Sequence, residues 1–252
     1  MKKTVAIIPA RMASTRFPGK PLADILGLPM IEHVRRRVAL SKLFSKVVVA
    51  TCDKEIYDTV KRFDGEAVMT ADAHQRCTDR VAEAALTYPA DVYVNVQGDE
   101  PLVDPDMFSA LLVPLENESN LQCTNFMAEI KEDEEFNNPN VVKTVYDLNK
   151  DALYFSREPV PSALKAGKMK FKKYKQLGIY AFRSDFLQVF AKLAPTILEE
   201  IESVDMLRAI EHGYKVRMVE NFSQNIGVDT PEDLQRTLTI MKKDKLFPLY
   251  KQ

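Results

Sequence analysis

Three cations, Arg11, Arg16 and Lys20, follow the short apolar run Val5–Ile8 on a Ser/Thr/Pro/Gly background, and the first carboxylate in the chain is Asp24. Charges of one sign at the end of a buried strand call for an anion from outside. In an open parallel sheet, ligands bind beyond the carboxyl ends of the strands. Guanidinium forks and an ammonium at such a place match the oxygens of a polyphosphate. Gly19 lets the backbone come close, and Ser14 and Thr15 offer hydroxyl donors. The stretch is neither GxGxxG nor GxxxxGK[ST], which weakens the dinucleotide and P-loop readings. The competing reading is a loop of solvated charges.

Two acidic stretches complement it. In "DVYVNVQGDEP" (91–101) an apolar strand ends in Gly98, Asp99 and Glu100 before Pro101. A carboxylate there could hold Mg²⁺ against phosphate oxygens; alternatively it is a turn residue before proline. In "NIGVDTPEDL" (225–234), Asp229 closes a short apolar run ahead of a helix. It either serves that helix or supplies a second metal ligand opposite Asp99. A fourth stretch, "KAGKMKFKKYKQ" (165–176), interleaves lysines with aromatics, a pattern that can bind single-stranded nucleic acid. With a net charge of −1 over 252 residues, a solvated face is the better reading. His33, His74 and His212 make no metal spacing, His33 reads as helix packing or surface, and there is no GxSxG elbow. Phosphoryl or nucleotidyl transfer by cations and Mg²⁺ fits this inventory.

Alternating elements must position these groups. β-Branched apolar runs at 4–8, 46–51 and 91–96 alternate with helical patterns led by Met30, Ile56 and Val81, which predicts βαβ units and a parallel sheet. Further on, 105–115 reads as helix, 131–140 as loop, and 141–146 and 177–182 as strands. Thr196 with Glu199 forms a capping-box pattern for a helix that Gly213 closes. Thr230 and Pro231 start the last helix. We expect one domain over 1–252, an α/β fold with an antiparallel insertion. Three widely spaced cysteines, no signal-peptide core and no apolar stretch of about 18 residues predict a cytoplasmic protein without membrane insertion. The near-neutral charge argues against nucleic acid as a partner.

The stretches "IIPARMASTRFPGKPL", "HQRCTDRVAEA", "VNVQGDEPLV", "ALYFSREPVP", "QLGIYAF" and "GVDTPEDL" occur in an order and spacing similar to that of 3-deoxy-manno-octulosonate cytidylyltransferases (CMP-Kdo synthetases), across nearly the whole chain. The resemblance implies a Rossmann-like nucleotidyltransferase fold, mostly parallel, with an antiparallel insertion involved in dimerisation. It implies a homodimer that couples CTP to an acidic sugar with Mg²⁺ as cofactor, in lipopolysaccharide biosynthesis. Carried over, Arg11, Ser14, Arg16, Lys20, Thr78 and Arg80 bind CTP, with Arg11, Lys20, Asp99 and Asp229 catalytic. Asp99 and Asp229 hold the metal. Gln97, Arg157, Gln176, Tyr180, Glu202 and Asp205 bind the acceptor, Arg157 through its carboxylate.

Three departures stand out. Arg76-Cys77 replaces a Ser-Gly pair, Gln176 a histidine and Met206 a glutamine. The last two are expected to face the acceptor, which favours an acid other than Kdo. Other acidic acceptors, and a catalytically silent nucleotide-binding protein on the same fold, are the alternatives at this point.

Overall fold

All seven residues of the strand Thr4–Ala10 are buried, as its continuous apolar run requires of a strand covered on both faces. It pairs in parallel with Lys46–Thr51 on one side and Val92–Val96 on the other, and Lys46–Thr51 pairs in parallel with Glu66–Met69. The helices Met30–Ala39, Lys54–Arg62 and Cys77–Ala85 connect them. Met30, Ile31, Val34 and Val38 recur at helical spacing and are fully buried. This computed structural model describes residues 2–13, 16–167, 169–222 and 227–251. The chain forms two compact units, Met1–Phe108 with Ser223–Gln252, and Ser109–Phe222; they are called units 1 and 2 below.

The C-terminal segment completes unit 1. Met241 and Val228 pack with Ile25, Met30 and Leu102, and Leu234, Leu238 and Phe247 lean on the same cluster. His33 is a core residue: its Nε2 donates to the Ile25 carbonyl at 2.7 Å and its Nδ1 lies 3.0 Å from the Tyr250 hydroxyl. Burial, with Arg37 and Arg36 nearby, pushes its pKa down.

In unit 2, Cys123–Ile130 lies between Lys173–Arg183, antiparallel, and Val216–Glu220, parallel. Lys143–Tyr146 pairs antiparallel with both Lys173–Arg183 and Ala152–Ser156. Asn125, fully buried, donates to the carbonyls of Leu177 and Ile179 at 2.8 and 3.0 Å, where the register slips between Gln176 and Tyr180. A buried amide thus meets the main-chain oxygens that the slipped ladder leaves over.

Three expectations change. The single helix closed by Gly213 is two, Ile197–Glu202 and Met206–Glu211, separated by Ser203 in the left-handed region (φ 54°). The break lets buried Glu199 grip buried Arg208 with two bonds of 2.8 and 2.6 Å. On a continuous helix, residues nine apart point to opposite faces. The 131–140 loop contains a short helix, Asp133–Asn137. The lysine-rich stretch runs into the Lys173–Arg183 strand, where Lys173 bonds Asp133 at 2.6 Å, Lys175 pairs with Glu135 and Lys172 lies 3.0 Å from Glu129. These three charges are answered from within the unit. Among the described residues no helix is long and apolar enough to cross a membrane.

Candidate active site

Unit 1 builds a cleft of about 370 Å³ at the carboxyl ends of the Thr4–Ala10 and Val92–Val96 strands. Gly98 makes this possible, because a Cβ there would stand 2.9 Å from the Pro9 carbonyl oxygen. The basic loop is pinned at its base: the Met12 N–H donates to Asp53 Oδ2 at 2.8 Å. At its far end Gly19, with φ 71°, turns the chain into the short 3₁₀ helix Lys20–Leu22. Left-handed backbone is the conformation glycine adopts without cost.

That turn buries all but 11% of the Lys20 side chain and aims its ammonium at two carboxylates. Lys20 Nζ donates to Asp99 Oδ2 at 2.7 Å and to Asp229 Oδ1 at 3.2 Å. Arg16 Nη2 approaches the same Asp229 oxygen to 3.1 Å. The two carboxylates meet because the Val228 N–H donates to the Asp99 carbonyl at 2.9 Å, which ties the chain ahead of the last helix to the end of the Val92–Val96 strand. Asp229 does not serve as the helix cap. Thr230 and Asp233 do so reciprocally, with Thr230 Oγ1 accepting from the Asp233 N–H at 3.2 Å and Asp233 Oδ2 accepting from the Thr230 N–H at 3.0 Å. The Asp229 carboxylate is left to face the cations.

The cleft wall carries Arg11, Arg16, Lys20, Arg76 and Arg80 against Asp99 and Asp229. This surplus of positive charge suits a polyanion. Arg80 is 3% exposed and its guanidinium donates to Thr70 Oγ1. Thr78 is fully buried, and Ser14 lies outside the described residues. Gln97, expected on the acceptor side, lines this same cleft and donates from Nε2 to Cys77 Sγ at 3.2 Å. Cys77 therefore fills a place where a glycine would leave the Gln97 amide without this partner.

A metal would have hard donors here. Among the described residues no cluster of three or more His, Cys, Asp or Glu could hold a metal ion, yet two carboxylates already converge on one cation, the Lys20 ammonium. Mg²⁺ is commonly held by one or two carboxylates together with substrate phosphates, so the donor set fits.

The remaining expected residues lie in unit 2. Arg157 Nε donates to the Glu202 carbonyl at 2.6 Å and Nη1 to the Pro139 carbonyl at 3.1 Å. Glu202 uses both oxygens internally: Oε1 accepts from Ser156 and Tyr154 at 2.8 and 3.2 Å, and Oε2 from the Arg157 N–H at 2.7 Å. Gln176 Nε2 donates to Asn125 Oδ1 at 2.7 Å, and Tyr180 stands opposite Asn125 on the neighbouring strand. Tyr180 and Asp205 are buried, 5% and 7% exposed. Met206 is corrected. It is fully buried, so its side chain offers no surface to a ligand, and the case for an altered acceptor loses one of its two supports. Asn125, Lys143 and Asp53 were not singled out from sequence. A polar residue inside an apolar strand was the available signal for the first two.

Residues 5–222 match the cytidylyltransferase family. The chain is 45% identical over 247 residues to the 3-deoxy-manno-octulosonate cytidylyltransferase of Geobacter metallireducens, covering 94% of this chain and 96% of that one. It is 46% identical over 250 residues to the protein of the same name from Geotalea uraniireducens, covering 96% and 100%. A solved CMP:2-keto-3-deoxy-manno-octonic acid synthetase, complexed with CTP, superposes with a TM-score of 0.89 at 38% identity, covering 96% of this chain and 99% of that one. With that likeness the mixed α/β architecture is a Rossmann-like nucleotidyltransferase fold, and the chain belongs to the cytidylyltransferase family, among the 3-deoxy-manno-octulosonate cytidylyltransferases.

Proposed function

We propose that this enzyme couples CTP to 3-deoxy-manno-octulosonate (Kdo), giving CMP-Kdo and pyrophosphate. The observation that carries the reading is the Lys20 ammonium held between Asp99 and Asp229 at the floor of a cationic cleft. The anomeric hydroxyl of the acceptor attacks the α-phosphorus, an O–P bond forms, the bond to the β-phosphate oxygen breaks, and the hydroxyl gives up its proton. Arg11, Arg16 and Lys20 hold the triphosphate and stabilise the charge that grows on the leaving pyrophosphate. Ser14, Thr78 and Arg80 belong to the same nucleotide-binding set. Asp99 and Asp229 hold Mg²⁺. When bound, that ion polarises the α-phosphoryl group and lowers the pKa of the attacking hydroxyl.

Arg157 receives the acceptor's carboxylate, and among the described residues its guanidinium bonds the carbonyl oxygens of Glu202, Pro139 and Ser203, which leave its charge for that task. Gln97, Gln176, Tyr180, Glu202 and Asp205 complete the acceptor side, by contact or by support. Both units serve one reaction and count functionally as one nucleotidyltransferase domain. The enzyme works as a cytoplasmic homodimer through unit 2, a reading supported by Leu153 on the Ala152–Ser156 strand, Leu148 in the turn before it, and Ile197 and Ile201 on the Ile197–Glu202 helix, which stay 59–105% exposed. Its product serves lipopolysaccharide biosynthesis.

The test is pyrophosphate release with CTP, UTP, ATP and GTP against a panel of sugar acids, with and without Mg²⁺. CTP with Kdo and Mg²⁺ is expected to give the highest kcat/KM. A higher value with another acid moves the acceptor assignment, and tight CTP binding without turnover of any acid makes the protein a nucleotide binder.

A further inference from the structure

Lys143 is fully buried, which is rare for a lysine. Among the described residues its ammonium has no carboxylate within ion-pair distance. Its three donors go to the main-chain carbonyls of Asn138 at 3.0 Å, Val141 at 2.8 Å and, closer still, Arg157. Three carbonyls satisfy the ammonium's hydrogen bonds, but they do not neutralise its charge. A cation kept in such a place carries a desolvation cost, and burial accordingly pulls its pKa down.

The other side of Arg157 mirrors this contact. Its own N–H donates to Glu202 Oε2 at 2.7 Å, and that carboxylate is fixed in turn by Ser156 and Tyr154. Arg157 is therefore held through its main chain at both ends, the N–H by an anion and the C=O by a cation. The side chain returns to the same two partners' segments: Nε to the Glu202 carbonyl, and Nη1 to Pro139, in the loop that Lys143 also ties through Asn138 and Val141.

We propose that Lys143 and Glu202 are positioning residues that clamp Arg157 from both sides of its peptide frame, so that its guanidinium meets the acceptor's carboxylate already oriented. The inference rests on the assignment of Arg157 to the acceptor made above. A pre-oriented fork loses less freedom when the anion binds. Glu202 then acts on the acceptor through Arg157 rather than by touching it.

The test uses the full chain with Mg²⁺, saturating CTP and varied Kdo. Lys143→Met is expected to raise the Kdo KM about ten-fold, the equivalent of about 1.4 kcal/mol, with kcat nearly unchanged and the CTP Kd by calorimetry unmoved. Adding Lys143→Met to Arg157→Ala is expected to cost nothing further, because Lys143 acts through Arg157. In a variant that still binds CTP, a fall in kcat and CTP affinity alongside acceptor affinity, or an effect that adds to that of Arg157→Ala, overturns the clamp. Should Lys143→Met fail to bind CTP, Lys143→Gln, which keeps N–H donors at shorter reach, takes its place under the same criteria. A readout without substrate separates the clamp from the substrate assignment: the ¹⁵Nε resonance of Arg157, identified with Arg157→Lys, is expected to be sharp in the wild type and shifted or broadened in the Lys143 variant. An unmoved resonance overturns the clamp whatever the acceptor proves to be. Absence of turnover with Kdo in the wild type overturns the substrate assignment alone.

Discussion

The charged groups around Lys20 in unit 1 and those around Arg157 in unit 2 are held in different ways. In the unit 1 cleft the charged side chains pair directly with one another: Lys20 and Arg16 reach Asp229, and Lys20 reaches Asp99, whose side chain is 31% exposed. Cations outnumber carboxylates there, and these pairs can exchange partners when a polyanion and a metal arrive. Around Arg157 in unit 2 the charges are fastened mostly to the main chain. Arg157 bonds carbonyls, Lys143 bonds carbonyls, and Glu202 closes on two hydroxyls and an N–H. The contrast separates two ways of meeting an anion. On the function proposed here, the multiply charged nucleotide would be met by a surplus of side chains, and the single carboxylate of the acceptor by one guanidinium held in a fixed direction.

The contrast can be broken at its most sensitive point, the metal side of unit 1. Asp99→Asn keeps volume and removes charge, so pyrophosphate release is expected to fall by about a hundred- to a thousand-fold, the scale of losing an electrostatic stabiliser of the transition state. Thermal melting is expected to stay close to that of the wild type. Near-normal turnover in the folded variant would take Asp99 out of the metal site.

In unit 2 the loss is expected to appear in binding. Arg157→Ala removes a charge-assisted contact worth about 1.5–3 kcal/mol, so the KM for Kdo should rise roughly ten- to a hundred-fold while the CTP Kd by calorimetry stays put. Equal damage to both substrates would erase the distinction between the units.

Packing at the floor of the cleft gives a smaller effect. A methyl group at Gly98 would meet the Pro9 carbonyl oxygen at 2.9 Å and the tip of the Ile31 side chain at 3.3 Å, so the backbone must shift to admit it. Gly98→Ala is expected to cost about 1–3 kcal/mol of stability, read by urea unfolding. An unchanged midpoint would show that the strand ends separate freely.

The smallest effect concerns His33, which fastens the C-terminal segment to unit 1 through Tyr250. Its folded pKa lies below the ordinary 6.5 because it is buried, with Arg37 and Arg36 adding to the effect. Below pH 6.5 the unfolded chain takes up a proton that the folded protein resists, so this contribution is intact above 6.5 and is lost as pH falls toward the lowered value. The wild-type melting temperature should fall more steeply than that of His33→Gln below pH 6.5. Parallel curves would remove His33 from the pH response.

Much of unit 1 was legible because its signals are local. The Lys46–Thr51 strand is an apolar run between turns, and Thr230-Pro231 is a start signal whose helix the structure places at Pro231–Met241. The convergence of Asp99 and Asp229 was not local. It depends on the Val228 N–H meeting the Asp99 carbonyl across the fold, and residue types alone left each aspartate open between a metal ligand and a turn or capping role. Unit 2 was harder to read because its order comes from long-range pairs. Ser203 breaks a helix that the Thr196–Gly213 pattern ran through, so that Glu199 can reach Arg208. Met206 resembled a substrate contact in sequence and is a core residue in the structure. Lys143, on a strand, carried no motif that announced a buried ammonium.

The central claim is that the cations of unit 1 hold the triphosphate, and calorimetric titration of CTP into wild type, Lys20→Ala and Arg157→Ala tests it most directly. Lys20→Ala removes a charge-assisted phosphate contact worth about 1.5–3 kcal/mol and should weaken CTP by roughly ten- to a hundred-fold. Arg157→Ala should leave the isotherm unchanged. An unaltered CTP dissociation constant in folded Lys20→Ala, or an equal loss in Arg157→Ala, would contradict the account.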